Sequence, residues 1–478
     1  MNIEKIKEVF PTAIVNKSAS TTTLMNFLEL PSDVRNWLLS RFTSRETGKL
    51  NAYRLSEYVK EMRLKPNDWN LKLLEATHTT NGQIRCLTKI SIEFDYANEM
   101  ILFSLPEYGF PKKRGEALVD WSVISSHKKH LLNSNGVWGE ILIAYQCGVV
   151  QLVSFKPLCP YTADLKRFQE NRKKFTTEEW IDVLLSGLNF NPDGFSEEAK
   201  LTLLQRFLPF VEKRLNQIEL AIKGSAKSYC YSQLSPYNWL TSGTITRATA
   251  FYNATTKKTG YFSQYDNVIW DEIQSIKCNN PEEMNGTLKP YLESGEIRIG
   301  NYCGMSDAGL TLVGNIPVNE MSLEEHNMFN TIGCKMFKES AFIDRFSGII
   351  EGWKIGRFTE DRKYEGWGLS ANYLTEIFHL MRDEFYYRAI IDEMLYTEGN
   401  CDTRNFEAVK KNAAAFLKLL FPHITSSDEI DIVEFRKYCL EPAIRMRWGV
   451  LCQLRFLDAE YENVEMPTIK IVGEDEEE

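Results

Sequence analysis

The stretch that most restricts the fold is Asn216–Pro236, NQIELAIKGSAKSYCYSQLSP. An apolar run, Ile218–Ile222, reads as a buried strand, and a turn of small residues, Lys223-Gly224-Ser225-Ala226, follows it. Lys227-Ser228 and a helical stretch come next. Strand, tight loop, Lys, hydroxyl residue and helix is the layout of a phosphate-binding P-loop. Phosphate oxygens must come within hydrogen-bond reach of the loop's backbone N–H groups, which bulky side chains prevent. Lys227 brings a cation to the β- and γ-phosphates, Ser228 offers a hydroxyl to Mg²⁺, and the segment from Lys223, Gly224, Ser225 and Ala226 to Tyr229 is the expected ATP contact. Ala221 and Ala226 replace the two glycines of the GxxxxGK[ST] pattern. On this stretch alone, an ordinary strand-loop-helix turn that carries Lys-Ser is an equal alternative.

The downstream sequence bears on that choice. Val268-Ile269-Trp270-Asp271-Glu272 is an apolar strand ending in adjacent carboxylates, about 40 residues on, as the Walker B strand of a RecA/AAA-type core requires. Asp271 would complete the Mg²⁺ shell and Glu272 would act on the attacking water. A third buried strand, Leu310–Asn315, ends in Asn315, placed to orient that water. Arg345, in AFIDRF, follows a short apolar segment and can serve as an arginine finger on a neighbouring subunit. Arg404 lies in the first turn of a helix capped by Asp402 and can act as a second sensor from a lid. Each residue alone has a surface or capping role as an alternative; their order along the chain favours the ATPase.

The rest of the chain supplies context. Residues 1 to about 75 contain amphipathic helices such as VRNWLLSRF and YRLSEYVKEM. From Gly82 to Pro157 short β-rich runs alternate with polar turns, suiting a small barrel or sandwich with an OB-like barrel as one candidate. Lys112-Lys113-Arg114 and Lys128-Lys129 lie in turns there and can grip a nucleic-acid backbone or stand as solvated charges. Thr176 with Glu179 forms a capping box, and Ser196 caps a second helix. Tyr291–Gly304 has the turns of a hairpin between the second and third site strands, and Lys257 and Lys258 lie in the preceding insert.

Composition excludes several classes. Ten Cys lack CxxC spacing, which predicts free thiols in a reducing cytoplasm. The start has no apolar signal core, and no run of about 18 apolar residues exists to span a membrane. The net charge is −9, so any nucleic-acid surface must be local. The six His form no HExxH, and His127 with His130 lack partner ligands. The acidic run Glu474–Glu478 reads as a solvated tail.

From about Leu30 to Arg455 the chain resembles the BrxL family of BREX phage-defence systems. The segments that carry the resemblance include FTTEEWIDVLLSGLNFNPDGFS, IELAIKGSAKSYCYSQLS, TRATAFYN, YDNVIWDEIQ, LVGNIP, AFIDRFSGIIEGW and DTRNFEAVKKNAAAFLKLLFP. The resemblance implies an α/β AAA+ P-loop NTPase core with an MCM-like flavour. It implies hexameric or double-hexameric rings that bind ATP, Mg²⁺ and double-stranded DNA, with other defence proteins as partners. It assigns Lys227 and Ser228 to Walker A, Asp271 and Glu272 to Walker B, Asn315 to sensor 1, Arg345 to the finger and Arg404 to sensor 2. Ile222 stands where Pro is expected in that family, whereas Ala before the P-loop Lys is also found in MCM-type loops. MCM-like proteins carry a pore hairpin between Walker B and sensor 1, which makes Arg298 a candidate DNA-phosphate contact and Lys257 and Lys258 weaker ones, with an ordinary exposed hairpin as the alternative. Longer members continue into a Lon-like protease domain; this sequence has no room for one after its lid, so proteolysis is not expected of it.

The expected layout is a helical region at 1–80, an OB-like DNA-binding domain at 81–158, the ATPase core at 159–395, a helical lid at 396–460 and an acidic tail at 461–478. The expected function is an ATP-dependent ring-forming DNA motor of anti-phage defence. An ATP-dependent protein remodeller, in which pore aromatics such as Tyr302 grip a polypeptide, and a nucleotide-binding scaffold of low turnover are the alternatives.

Overall fold

The computed structural model describes residues 2–474 apart from 19–29, 45–46, 80–81, 97, 132–135, 147, 159–162, 318–320, 331, 333 and 400–401. The chain divides into two compact units, Ser20–Thr162 on its own and Met1–Ala19 together with Ala163–Glu478.

The described residues of the smaller unit begin with helices α1 (Ser32–Phe42), α2 (Ala52–Met62) and α3 (Pro66–His78) and go on into a closed five-stranded barrel. Its strands are β1 (Gln83–Asp95), β2 (Met100–Ser104), β3 (Ala117–Val119), β4 (Val137–Gln146) and β5 (Val149–Pro157), neighbouring in the order β1-β2-β3-β5-β4. All pairs are antiparallel except β3 with β5. Residue alternation along β1 explains the closure. Ile84, Cys86 and Ile90 join Ile141, Ile143, Leu152 and Phe155 in the interior, while Gln83 and Arg85 face out. Leu87 and Trp138 pack instead with Val34, Trp37 and Leu38 of α1 and Leu55 and Met62 of α2. A short helix, α4 (Trp121–Ser126), lies between β3 and β4 in the chain.

The larger unit is α/β. Helices α5 (Thr177–Gly187) and α6 (Glu197–Gln205) lead into its five-stranded parallel sheet. The expected caps are present: Thr176 and Glu179 form the reciprocal box, and Ser196 accepts from the Ala199 N–H. The sheet contains β6 (Gln217–Ala221) and β7 (Asn238–Thr241). A small hairpin follows, β8 (Tyr252–Asn253) with β9 (Lys258–Thr259), and then sheet strand β10 (Asn267–Trp270). Helix α7 (Pro281–Ser294) runs into a second hairpin, β11 (Glu296–Ile299) with β12 (Tyr302–Met305). Sheet strands β13 (Gly309–Asn315) and β14 (Gly348–Glu351) complete the set. Spatial order is β14-β6-β13-β10-β7, or 5-1-4-3-2 by appearance in the sheet. All five residues of β6 are buried, as a parallel strand covered on both faces demands. C-terminal helices α8 (Thr403–Leu420) and α9 (Glu441–Leu457) follow. Helix α9 lies close on β14, where a Cβ at Gly348 would sit 2.6 Å from the Met446 Cβ.

Three expectations need correction. The first residues do not belong with the helical region at 1–80. Ile14–Asn16 pair antiparallel with Trp367–Leu369, and Phe10 packs among Phe168, Phe175, Trp180 and Tyr373, because these apolar residues find their burial in the larger unit. The segment after 461 is not all solvated tail. Thr468–Ile471 form a strand against Leu395–Glu398 that buries Ile469 and Ile471, a short alternation easily missed beside a charge run. Glu474 pairs with Arg436, and residues 475–478 lie outside the described ones. Tyr291 is not in a hairpin; it lies in the last turn of α7, buried, and donates to the Ala308 carbonyl at 2.7 Å. Among the described residues no helix is long and apolar enough to cross a membrane.

Candidate nucleotide site

Parallel strands align their C-terminal ends, and loops there collect groups from distant parts of the chain. The loop after β6 is a tight left-handed turn. Gly224 has φ +79°, and a Cβ there would meet nothing within 4 Å, so the backbone faces open space. Ala226 has φ +61°, an unfavourable conformation for an L-residue, where the usual pattern has Gly. Lys227 follows and is buried. Its ammonium donates to the Ile222 carbonyl at 3.0 Å and to Asn315 Oδ1 at 2.8 Å, joining the loop to the end of β13. Burial lowers the Lys227 pKa, with Glu219, Asp271 and Glu272 opposing and Arg206 adding to the shift. The helix that begins at Lys227 is short and widens into a π turn at Tyr229–Gln233; π turns recur at functional sites.

Asp271 and Glu272 follow β10, next to β13 in the sheet. Burial raises the Asp271 pKa, partly offset by the Glu272 N–H, which donates to its Oδ1 at 2.8 Å. Glu272 is itself left-handed, φ +52°, and exposed. Lys227, Asp271, Glu272 and Asn315 therefore meet at one edge of the sheet, and the exposed Ser228 hydroxyl lies beside Lys227 in the chain. The hydroxyl of Ser228 and the carboxylate of Asp271 are hard oxygen donors, which suit Mg²⁺ shared with phosphate oxygens.

Sequence reasoning missed what lies under the loop. Glu219, in the middle of β6, is fully buried against fully buried Arg206 at 2.5 Å. Arg206 also donates to the Ser225 carbonyl at 2.9 Å, and Tyr231 donates to Glu219 Oε2 at 2.8 Å. One ion pair thus fastens both sides of the loop. The signal was a carboxylate inside the apolar run IELAI, which requires a buried partner. Asn189 was also missed; it has φ +72° and donates to the Tyr229 hydroxyl, whose ring packs edge-on to Phe190.

The two arginines lie elsewhere. Arg345 precedes β14, whose first residue, Gly348, is in register with Gln217, the first of β6. Arg345 is therefore at the N-terminal edge of the sheet, a strand length, roughly 15 Å, from the edge that carries Lys227. Its guanidinium donates to Glu293 Oε2 at 3.0 Å and to the Ala341 carbonyl. Arg404 joins it there, 2.8 Å from Asp344 Oδ2 and 3.9 Å from Glu293 Oε1. The Asp344 contact comes first in raising the Arg404 pKa. Asp344 is buried and fixed by Arg447 at 2.5 Å, and Arg447 also donates to the Phe346 carbonyl at 2.7 Å. The structure thus sets Arg345 and Arg404 together and apart from Lys227 of the same chain.

The two hairpins touch through stacked rings, Tyr252 on Tyr302 with centroids 4.0 Å apart. Arg298 stands on β11 with its side chain three-quarters exposed, its Nε donating to Glu296 at 2.5 Å. Lys257, at φ +55°, and Lys258 are exposed on the turn and second strand of the other hairpin.

Residues 150–467 match the family described as Lon-like protease BrxL-like, ATPase domain, and residues 8–145 match BREX system Lon protease-like protein BrxL N-terminal. The chain is 27% identical over 403 residues to the Lon-like protease BrxL of Escherichia coli O9:H4 (strain HS), covering 81% of this chain and 56% of that protein. It is 30% identical over 329 residues to the Lon-like protease BrxL of Bacillus cereus (strain H3081.97), covering 66% of this chain and 48% of that one. The chain spans about half the length of these curated relatives. With an AAA+-type ATPase domain over its larger part and the family's N-terminal domain before it, the chain belongs to the BrxL family.

Proposed function

We propose that this chain is an ATP-dependent, ring-forming DNA motor of a phage-defence system, working in the cytoplasm with other defence proteins. The observation that carries this is the separation of charges across the sheet: Lys227, Asp271 and Asn315 at one edge, Arg345 and Arg404 at the other. A triphosphate held by Lys227 is beyond reach of this chain's own arginines, so a complete site needs a second copy, as a closed ring of hexamer type supplies.

In that site the N–H groups of Gly224 to Tyr229 and the Lys227 ammonium bind the phosphates. Ser228 and Asp271 would hold Mg²⁺, which neutralises charge developing on the phosphate oxygens. Asn315 orients a water, Glu272 takes its proton as its oxygen attacks the γ-phosphorus, and the bond to the ADP oxygen breaks. Arg345 and Arg404 of the neighbour stabilise the charge on the transferred group. Lys227 moves little, since its present acceptors are neutral and a phosphate is the stronger partner.

DNA binding is assigned to Arg298, with Lys257 and Lys258 on the stacked hairpin beside it. The barrel's strand order and parallel β3–β5 pair support an OB-like reading of that unit. The polypeptide-remodelling alternative loses support because the Tyr302 ring is already stacked on Tyr252. The protease wording in the relatives' names is theirs, and no proteolytic step is placed on the residues described here.

The test is complementation. Lys227→Ala and Arg345→Ala should each lower phosphate release at least about a hundredfold, Arg345→Ala with nucleotide binding retained. Mixing the two should restore a fraction of turnover, because some interfaces then join an intact Lys227 to an intact Arg345. No recovery in mixed assemblies that are shown to form would defeat the shared-site reading. For DNA, Arg298→Ala should weaken binding and make its salt dependence shallower. Equal affinity at several salt concentrations removes Arg298 from the interface.

A further inference from the structure

We infer that Glu293 is a positioning residue that stands in for nucleotide phosphate, holding Arg345 and Arg404 together until the neighbouring copy's triphosphate replaces it. This rests on the reading that both arginines act across a subunit boundary.

Glu293 lies in the last turn of α7, where the helix's own carbonyl groups disfavour a carboxylate. What compensates is a pair of guanidiniums from separate parts of the chain, Arg345 on Oε2 at 3.0 Å and Arg404 near Oε1 at 3.9 Å. Two guanidiniums converging on one carboxylate make a fork that also fits a phosphate, since both anions offer paired oxygens. Without an anion between them the like charges would repel.

The two acids of this cluster differ in freedom. Asp344 is 2% exposed and gripped from below by Arg447, so it stays with Arg404. Glu293 is 56% exposed, so its side chain can swing into water without burying a charge. The Arg345 side chain is mostly buried, and its Nε is buried with no hydrogen-bond partner. A buried donor left unmet is costly, which favours a shift of the Arg345 side chain that gives its Nε an acceptor. Glu293 thus keeps the arginine pair oriented while remaining the member that can be displaced.

The experiment is sedimentation velocity of the full chain titrated with a slowly hydrolysed ATP analogue and Mg²⁺. If the phosphate must displace Glu293, Glu293→Gln, which keeps shape and removes charge, lowers the analogue concentration at half-assembly about three- to fivefold. The half-saturating ATP concentration in turnover falls by the same factor, while kcat at saturating ATP stays within about twofold. A half-assembly point that is unchanged or raised overturns the proposal, as does a fall in kcat beyond that range. Failure of the underlying reading looks different: assembly of the wild-type chain indifferent to the analogue, or Arg345→Ala with normal turnover.

Discussion

The two edges of the parallel sheet handle positive charge in opposite ways. At the C-terminal edge Lys227 rests on two uncharged acceptors, the Ile222 carbonyl and the Asn315 amide, and burial has lowered its pKa. At the N-terminal edge Arg345 and Arg404 rest on carboxylates, one fixed and one exposed. The first arrangement accepts an anion without displacing a salt bridge; the second must release Glu293 first. Nucleotide would therefore bind one copy readily, and the neighbour's arginines would join only as assembly competes for them. Buried charge also serves a third purpose under the loop, where Arg206 and Glu219 pair with each other and also hold the Ser225 carbonyl and the Tyr231 hydroxyl.

That contrast can be broken experimentally, beginning with the largest effect. Arg206→Met strands a fully buried Glu219 carboxylate and should cost about 3–5 kcal/mol in urea unfolding. The double variant Arg206→Met with Glu219→Gln should recover much of this, because the uncompensated charge is gone. If the single variant cost no more than a surface substitution, the ion pair would not be what holds the loop.

A smaller effect tests the N-terminal edge, where His379 stacks on Tyr237 at 3.9 Å and shares a proton with Asp266 at 2.6 Å. Burial works against the His379 charge, but the Asp266 hydrogen bond and charge outweigh it, and Glu376 adds to them, so the pKa is raised. A raised pKa means the contribution is full below the unfolded value, about 6.5, and is lost as pH rises through the folded one. His379→Phe should therefore lose stability relative to wild type mainly at acid pH, with the difference shrinking as pH increases past neutrality. The size should stay under about 1 kcal/mol, since the imidazole is 40% exposed and solvent screens the pair. A difference that grows with pH would contradict the Asp266 pairing.

The smallest effect concerns Ala226. Glycine relieves the left-handed strain, about 1–2 kcal/mol, but adds freedom to the unfolded chain, so Ala226→Gly should stabilise by about 0.5 kcal/mol net. Nucleotide binding should be unchanged. A loss of stability would show that the methyl group packs favourably at φ +61°.

Much of the site was legible in local pattern. Apolar runs leading to Lys-Ser, Asp-Glu and Asn predicted three strands, and β6, β13 and β10 lie side by side in that order. Caps at Thr176, Ser196 and Asp402 were readable because capping is settled within three residues. The short strand at Thr468–Ile471 was not, since a four-residue alternation is too weak a signal next to a run of acids. Arg206 was not recognised either, because its partner comes thirteen residues later across a loop and nothing around Arg206 itself announces burial.

The amino-acid sequence alone determined which residues bear charge, where apolar strands end in polar groups, and that the larger part resembles the ATPase domain of this family. Only the tertiary structure decided that Lys227 and Arg345 stand at opposite ends of the strands, that Arg404 belongs with Arg345, and that Glu293 lies between the two. Periodicity and capping act over one or two turns of chain, so they are written locally. Which cation meets which carboxylate depends on strand order and packing between segments a hundred residues apart, and Coulomb interactions inside a protein follow that spatial proximity rather than sequence distance.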